Sequence, residues 1–117
     1  MIPLTILCVD DQPVVLTTVA AVLRKRGHTV ITAANPGQAL SAASMFLIDV
    51  ALVDHSICVE ERLCLRNALQ ERQPSIKAIV HTGTLELACL GTVPMLEKPV
   101  DPRELAGRIE AIARSAA

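Results

Sequence analysis

Five short apolar runs alternate with helical patterns along the chain, and this order restricts the possible fold more than any other feature. The apolar runs occupy residues 4–9, 28–34, 49–53, 76–81 and 93–97. Short continuous runs of this kind are typical of strands buried on both faces of a parallel sheet. Between and after them, apolar residues recur at helical spacing over 13–27, 35–46, 59–72, 84–91 and 101–116. The pattern predicts an α/β fold, with right-handed βαβ units around a five-stranded parallel sheet.

Capping residues support several of these helix boundaries. Pro13 is tolerated in a first turn, and Gly27 follows a last turn that is rich in basic residues. Asn35 is a predicted N-cap, and Asp101 caps a helix whose first residue is proline. The segment 84–91 has room only for a short or irregular fourth helix.

Composition excludes several classes of function. The 117 residues are enough for one domain, 1–117, and about half of them are apolar (51%). The net charge is −1 without any run of basic residues, and Phe46 is the only aromatic side chain. Direct nucleic-acid binding and attraction to an anionic membrane are therefore not expected.

The N-terminus and the cysteines indicate a cytoplasmic protein. The first apolar run is cut short by Asp10 and Asp11, so it does not resemble a signal peptide, and no stretch is long enough to span a bilayer. The cysteines form no C-x-x-C pair, which argues against a zinc site and favours reduced thiols; they are Cys8, Cys58, Cys64 and Cys89.

The residues that could bind a ligand or take part in a reaction lie at the ends of the strands. Ligands of open α/β sheets bind beyond the carboxyl ends of the strands. Those positions hold Asp10, Asp11, Asp54, Thr82 and Lys98. Each alone has an ordinary structural explanation, as a helix cap, a turn residue or a solvated charge. Together, three converging carboxylates require a cation, and a few hard oxygen ligands favour Mg²⁺.

At this point the sequence resembles a response-regulator receiver domain of two-component signalling. The resemblance is carried by ILCVDDQP, GHTVITAANPGQAL, DVALVD, IKAIVHTG and EKPVDPRELAGRI, which are spread over nearly the whole chain. It implies a flavodoxin-like, doubly wound (βα)5 fold with strand order 2-1-3-4-5. It also implies a phosphohistidine donor on a histidine kinase or a histidine phosphotransfer protein. The output partner cannot be inferred from it.

The resemblance also assigns roles to individual residues. Asp54 is implied as the phosphoacceptor. The implied Mg²⁺ ligands are Asp10, Asp11, Asp54 and the backbone carbonyl of Ser56. Thr82 is implied as the switch hydroxyl, Lys98 as the phosphate-contacting lysine, and Pro99 as the residue after a cis peptide bond.

Three departures from the family pattern fall after Asp54 and around the usual output surface. Cys58 and Arg62 replace a proline and a glycine that often follow the phosphoacceptor. Met95 replaces the switch aromatic, and only residues 84–92 separate Gly83 from the fifth strand. Phosphorylation is therefore expected to act on residues 82–95 without the usual rotation of an aromatic ring.

Three functional interpretations remain open from the sequence. The first is a phosphoacceptor switch or phosphate shuttle, either stand-alone or part of a larger regulator or hybrid kinase. It would not be an enzyme beyond its own phosphorylation and dephosphorylation. The second is a degenerate receiver that acts only as a binding module, which would not need the five polar strand-end residues. The third is an aspartyl phosphatase, but Ser56 stands where that chemistry needs a second acid.

Overall fold

The computed structural model describes residues 3–54, 65–82, 95–97 and 101–114. Its strands are β1 (Thr5–Val9), β2 (Thr29–Ala33), β3 (Val50–Asp54), β4 (Lys77–Thr82) and β5 (Met95–Glu97). Its helices, numbered here in chain order, are α1 (Pro13–Lys25), α2 (Pro36–Met45), α3 (Leu65–Arg72) and α4 (Pro102–Ala113). The short helix predicted over 84–91 lies outside the described residues.

The strands form one parallel sheet in the order β2-β1-β3-β4-β5. The parallel α/β, flavodoxin-like architecture predicted from the sequence is confirmed. Strand β1 lies between β2 and β3, so the chain reverses its direction of travel across the sheet after β2. Such a reversal opens a crevice at the carboxyl ends of the central strands, where ligands of these folds bind.

Alternating residues of the central strands fill two cores. Leu7 and Val9 of β1 pack on the side of α2 and α3, with alanines of α2 and Leu69. Ile6 and Cys8 face the other side, where they pack with residues of α1 and α4 such as Leu23 and Ile109. Because helices cover both faces, the strands are continuous apolar runs instead of alternating ones.

The predicted caps shape the described helices. The Asn35 side chain accepts a hydrogen bond from the Gln38 amide at 2.9 Å, and Asp101 accepts one from the Arg103 amide at 2.8 Å. Gly27 has a φ of 95°, a left-handed conformation that ends α1 and favours glycine. No helix among the described residues is both long enough and apolar enough to cross a membrane.

Candidate functional site

The two central strands end side by side and bring their aspartates together. Val9 of β1 is the register partner of Val53 of β3. Asp10 and Asp54 each follow this pair by one residue, so they stand at the same level at the carboxyl end of the sheet. Both aspartates are buried, with 3% and 7% of their surface exposed, whereas Asp11 is exposed. Such a site combines two partly desolvated carboxylates with one that solvent reaches.

Backbone amides fix the position of Asp10. Its own amide donates to the Ala33 carbonyl of β2 at 3.1 Å. Its Oδ1 accepts a hydrogen bond from the Gln12 amide at 2.9 Å. This second contact is a short-range turn in which an aspartate binds the backbone two residues later. The carboxylate is therefore oriented before any ligand arrives, and one of its oxygens is already engaged.

Asp10, Asp11 and Asp54 form one compact acidic cluster. Each offers a carboxylate oxygen that lies within 4.8 Å of the other two. Mg²⁺ binds oxygens at about 2.1 Å, so ligands on opposite sides of the ion stand about 4.2 Å apart. Adjacent ligands stand closer, about 3.0 Å apart. A spacing of up to 4.8 Å therefore suits one small hard cation when the carboxylates close in by about 1–2 Å, or when water lies between the ion and one of them.

The side chains beneath the acidic cluster are mostly apolar, and the one sulfur among them is not available as a metal ligand. Cys8 is buried there, beside a space of about 10 Å³ that is lined by Asp10 and by side chains of α1, β1 and β3. The pKa of the Cys8 thiol is raised to about 12, mainly by burial; the positive charge of Arg24 opposes this rise, and the Asp10 carboxylate adds to it. The thiol stays protonated at neutral pH, so the cluster presents only oxygen ligands.

The remaining predicted site residues are described in part. Thr82 is the last residue of β4 and lies one position beyond His81, the register partner of Asp54. The backbone of Thr82 therefore lies at the edge of the sheet that carries the three aspartates. Strand β5 lies beside β4 there, with Met95 as the register partner of Val80. Ser56, Lys98 and Pro99 lie outside the described residues, and so do Cys58 and Arg62.

The sequence did not draw attention to two backbone groups that complete the site. These are the Gln12 amide, which holds Asp10, and the Ala33 carbonyl, which accepts from the Asp10 amide. The first has a sequence signal, because an aspartate just before a helix start commonly binds the amide two residues on. The second depends on β2 lying beside β1, which only the sheet order determines.

Comparison with known proteins agrees with this geometry. A family model described as the response regulator receiver domain matches residues 6–110. A response regulator from Thermotoga maritima superposes with a TM-score of 0.86 at 27% identity, covering 97% of this chain and 100% of that chain. A response regulator from Burkholderia pseudomallei, solved with a phosphorylated aspartic acid, a calcium ion and citrate, gives a TM-score of 0.79 at 27% identity; 93% of this chain and 68% of that chain are covered.

A curated relative is similar over part of its length. The probable transcriptional regulatory protein TcrX of Mycobacterium tuberculosis is 30% identical over 81 residues, which is 69% of this chain. The aligned part covers 35% of TcrX, so this chain matches about a third of that longer protein.

Proposed function

The chain belongs to the response regulator receiver domain family of two-component systems, and from this premise we propose that Asp54 accepts a phosphoryl group from a phosphohistidine. The observation that carries the proposal is the position of Asp54. It ends the buried strand β3, and its carboxylate lies within 4.8 Å of ligand oxygens of both Asp10 and Asp11. A buried carboxylate in this setting is oriented for attack on phosphorus.

The transfer is a displacement at phosphorus. An Asp54 carboxylate oxygen forms the new P–O bond while the P–N bond of the phosphohistidine breaks, and its electron pair returns to the imidazole. The product is an acyl phosphate on Asp54. Bound Mg²⁺ would supply positive charge against the phosphoryl oxygens. Asp10 and Asp11 would hold that ion, together with the Ser56 carbonyl that the family resemblance implies.

Two further residues are proposed to contact the phosphoryl group. Thr82 would donate its hydroxyl to a phosphoryl oxygen, and the Lys98 ammonium would neutralise a second one. The support is the backbone position of Thr82 at the acidic edge and the place of Lys98 directly after β5 in the sequence. Neither residue forms a bond to phosphorus in this scheme.

The signal is proposed to pass through residues 82–95. Movement of Thr82 toward the phosphoryl group would act on the segment that begins at Gly83, and Met95 would replace the ring that other receivers rotate. Amide hydrogen exchange can test this, with and without Mg²⁺ and a phosphate mimic. A response in 82–95 supports it, and a response confined to α1 and α4 contradicts it.

We assign this exchange to the cytoplasm, with a histidine kinase or a histidine phosphotransfer protein as donor. The chain would act as a stand-alone regulator or shuttle, or as the receiver portion of a longer protein such as a hybrid kinase. It would not be an enzyme toward other substrates. The proposed chemistry at Asp54 is the same in each of these settings.

Intact-mass measurement after incubation with acetyl phosphate and Mg²⁺ tests the central claim. We expect one phosphoryl group per chain, and none in Asp54→Asn. Asp49→Asn is the matched control, because Asp49 begins the β3 region at the opposite edge and accepts a hydrogen bond from the Thr5 amide that asparagine can also accept. Undiminished labelling of Asp54→Asn would refute the assignment. No labelling of the wild type would favour the binding-module interpretation, and continuous phosphate release would favour the phosphatase.

A further inference from the structure

Strand β2 lies at one edge of the sheet, and its own sequence has none of the features that usually protect an edge strand. It pairs with β1 on one side, and no strand of the sheet pairs with its other side. Its residues, TVITA, include four β-branched side chains and neither a charge nor a proline. Edge strands of this composition pair readily with strands of other chains unless something blocks them.

The opposite edge of the sheet differs in this respect. Strand β5 has only three residues, Met95–Glu97, and ends in a glutamate. In the sequence, Pro94 precedes it, and Lys98 and Pro99 follow it. A short strand, charged residues and prolines all disfavour pairing at a sheet edge. Protection of the β2 edge must therefore come from outside the strand.

The hydrogen bonds to β1 show which backbone groups of β2 face away from the sheet. The Thr29 amide donates to the carbonyl that precedes β1 at 2.9 Å, and the Ala33 carbonyl accepts from the Asp10 amide at 3.1 Å. In a strand, alternate residues direct their amide and carbonyl to the same side. Thr29, Ala33 and the residue midway between them therefore face β1. The amides and carbonyls of Val30 and Thr32 face outward, and we call these four groups the outer edge of β2.

One group of the outer edge is covered by a side chain from α1. Arg24 lies in the last turn of that helix, and its Nη2 donates to the Val30 carbonyl at 2.9 Å. Among the described residues, no second hydrogen bond to the outer edge accompanies it. A strand that paired with β2 would need the Val30 carbonyl as an acceptor. It would therefore have to displace the Arg24 guanidinium.

The space beside the outer edge is otherwise open. A groove of about 330 Å³ lies between α1 and β2, with Arg24 and Thr32 among its lining residues. Its other lining residues belong to α1 and are uncharged; they are Pro13, Leu16, Thr17, Ala20 and Ala21. An incoming strand would thus meet one charged side chain there, that of Arg24.

From this geometry we propose that Arg24 blocks the outer edge of β2 against pairing with a strand of another chain. A guanidinium suits this role because it stays protonated and its hydrogen bond to a carbonyl is charge-assisted. Pairing would break that bond and leave the charge beside an added strand. The contact is thus an intramolecular substitute for the strand that β2 lacks. This inference does not depend on the proposed phosphoacceptor role.

Sedimentation equilibrium of Arg24→Ala tests the proposal, because a second copy of the variant supplies a strand. Val30 and Thr32 flank Ile31 symmetrically, so two outer edges can pair antiparallel. Association should be tighter than in the wild type by about tenfold or more, since pairing no longer breaks a hydrogen bond to a charged group. Lys25→Ala is the matched control. Lys25 is the next residue, is also exposed, and loses the same charge, so its variant should behave like the wild type.

A second substitution and a local probe show whether β2 is the surface that pairs. Thr32→Pro removes an outward amide and leaves the hydrogen bonds to β1 in place, so adding it to Arg24→Ala should restore wild-type behaviour. In Arg24→Ala at high protein concentration, the Thr32 amide should exchange more slowly than in the wild type. Circular dichroism checks that each variant is folded, and exchange at Thr32 decides if the proline variant is not.

Four outcomes would overturn the proposal. Arg24→Ala might associate no more tightly than the wild type up to about millimolar concentration. Lys25→Ala might associate as tightly as Arg24→Ala, which would assign the effect to net charge. The association might persist in a folded Arg24→Ala, Thr32→Pro double variant. Finally, association without slower exchange at Thr32 would place the contact on another surface.

Discussion

Glu110 is the centre of a buried polar cluster at the edge of the sheet opposite the aspartates. Its carboxylate accepts hydrogen bonds from Arg26 Nε at 2.9 Å and from His28 Nε2 at 2.6 Å. His28 Nδ1 accepts from the Leu4 amide at 3.0 Å, so that nitrogen carries no proton and Nε2 carries it. The cluster joins α4 to the turn after α1 and to the start of β1.

This cluster predicts a loss of stability in acid. Hydrogen bonding to Arg26 lowers the pKa of Glu110 from 4.5 to about 2, against the effect of burial, and His28 contributes to the lowering. A folded-state pKa below the unfolded value stabilises the protein above the unfolded pKa. That contribution, on the order of 3 kcal/mol, is lost as the pH falls from about 5 to about 2.

Urea unfolding of Glu110→Gln measures this contribution. The variant should lose about 2 kcal/mol at neutral pH and should show a flatter decline toward pH ~3 than the wild type. Glu104→Gln is the control, because Glu104 forms an exposed pair with Arg108 within α4 and should change stability by less than about 0.5 kcal/mol. An equal acid response in wild type and Glu110→Gln would contradict the assignment.

Asp54 should destabilise the metal-free protein. Its carboxylate is buried, and it lies within 4.8 Å of ligand oxygens of Asp10 and Asp11, so the like charges repel. In EDTA, Asp54→Asn should therefore raise the free energy of unfolding by about 1 kcal/mol. Asp49→Asn, outside the cluster, should give no such gain. A lower free energy of unfolding for Asp54→Asn in EDTA would contradict this prediction.

At the scale of elements, Gln73 connects α2 and α3. It follows the last residue of α3, and its amide group makes three hydrogen bonds to the end of α2 and the following loop. Those contacts satisfy two carbonyls and one amide that no helix or strand pairs. Arg72 adds a bond to Ser44 at 2.7 Å. One side chain thus ties the end of α3 to the segment that leads from α2 to β3.

Gln73→Ala should destabilise the protein by about 2–3 kcal/mol, because it leaves several partly buried backbone groups without partners. Urea denaturation measures this loss, and amide exchange should show faster exchange at Ile48. Gln70→Ala is the matched control, since Gln70 lies in α3 one turn before Gln73, and its hydrogen bond within the described part of the chain is a longer one, 3.3 Å to the Ile76 carbonyl. Equal losses of stability in the two variants would contradict a special contribution from the three hydrogen bonds of Gln73.

Element types were predictable and the contacts between elements were not. The predicted helix 35–46 is observed as Pro36–Met45 with Asn35 as its cap, because proline and an N-cap are local signals. Strand β2, predicted over 28–34, spans Thr29–Ala33. The three hydrogen bonds of Gln73 were not predicted, since their partners lie 25 to 30 residues away and no local pattern marks them. The contact between His28 and Glu110, 82 residues apart, escaped for the same reason.

At the scale of the whole molecule, sheet order explains why the acidic cluster was predictable. Parallel strands all end at one edge, so Asp10, Asp11 and Asp54 had to lie near one another once the strands were identified. The placement of β1 between β2 and β3 then makes two of these carboxylates immediate neighbours. The orientation of the Asp10 carboxylate follows from a different, local signal, the turn in which its Oδ1 accepts from the Gln12 amide, and strand order alone does not give it.

A ligand at this edge should stabilise the entire domain, because the cluster joins β1 and β3 at the centre of the sheet. Mg²⁺ at about 100 times its dissociation constant should add about 2.7 kcal/mol by mass action, and each kcal/mol should raise the Tm by about 4 °C. Circular dichroism is the suitable probe, since the chain has no Trp or Tyr.

Asp11→Ala should lose most of the Mg²⁺-induced rise in Tm, even if its metal-free Tm is higher through reduced repulsion. Glu104→Ala removes the same charge from an exposed position of α4 and should keep the full rise. A Tm that does not respond to millimolar Mg²⁺, or an undiminished rise in Asp11→Ala, would contradict the proposed metal site.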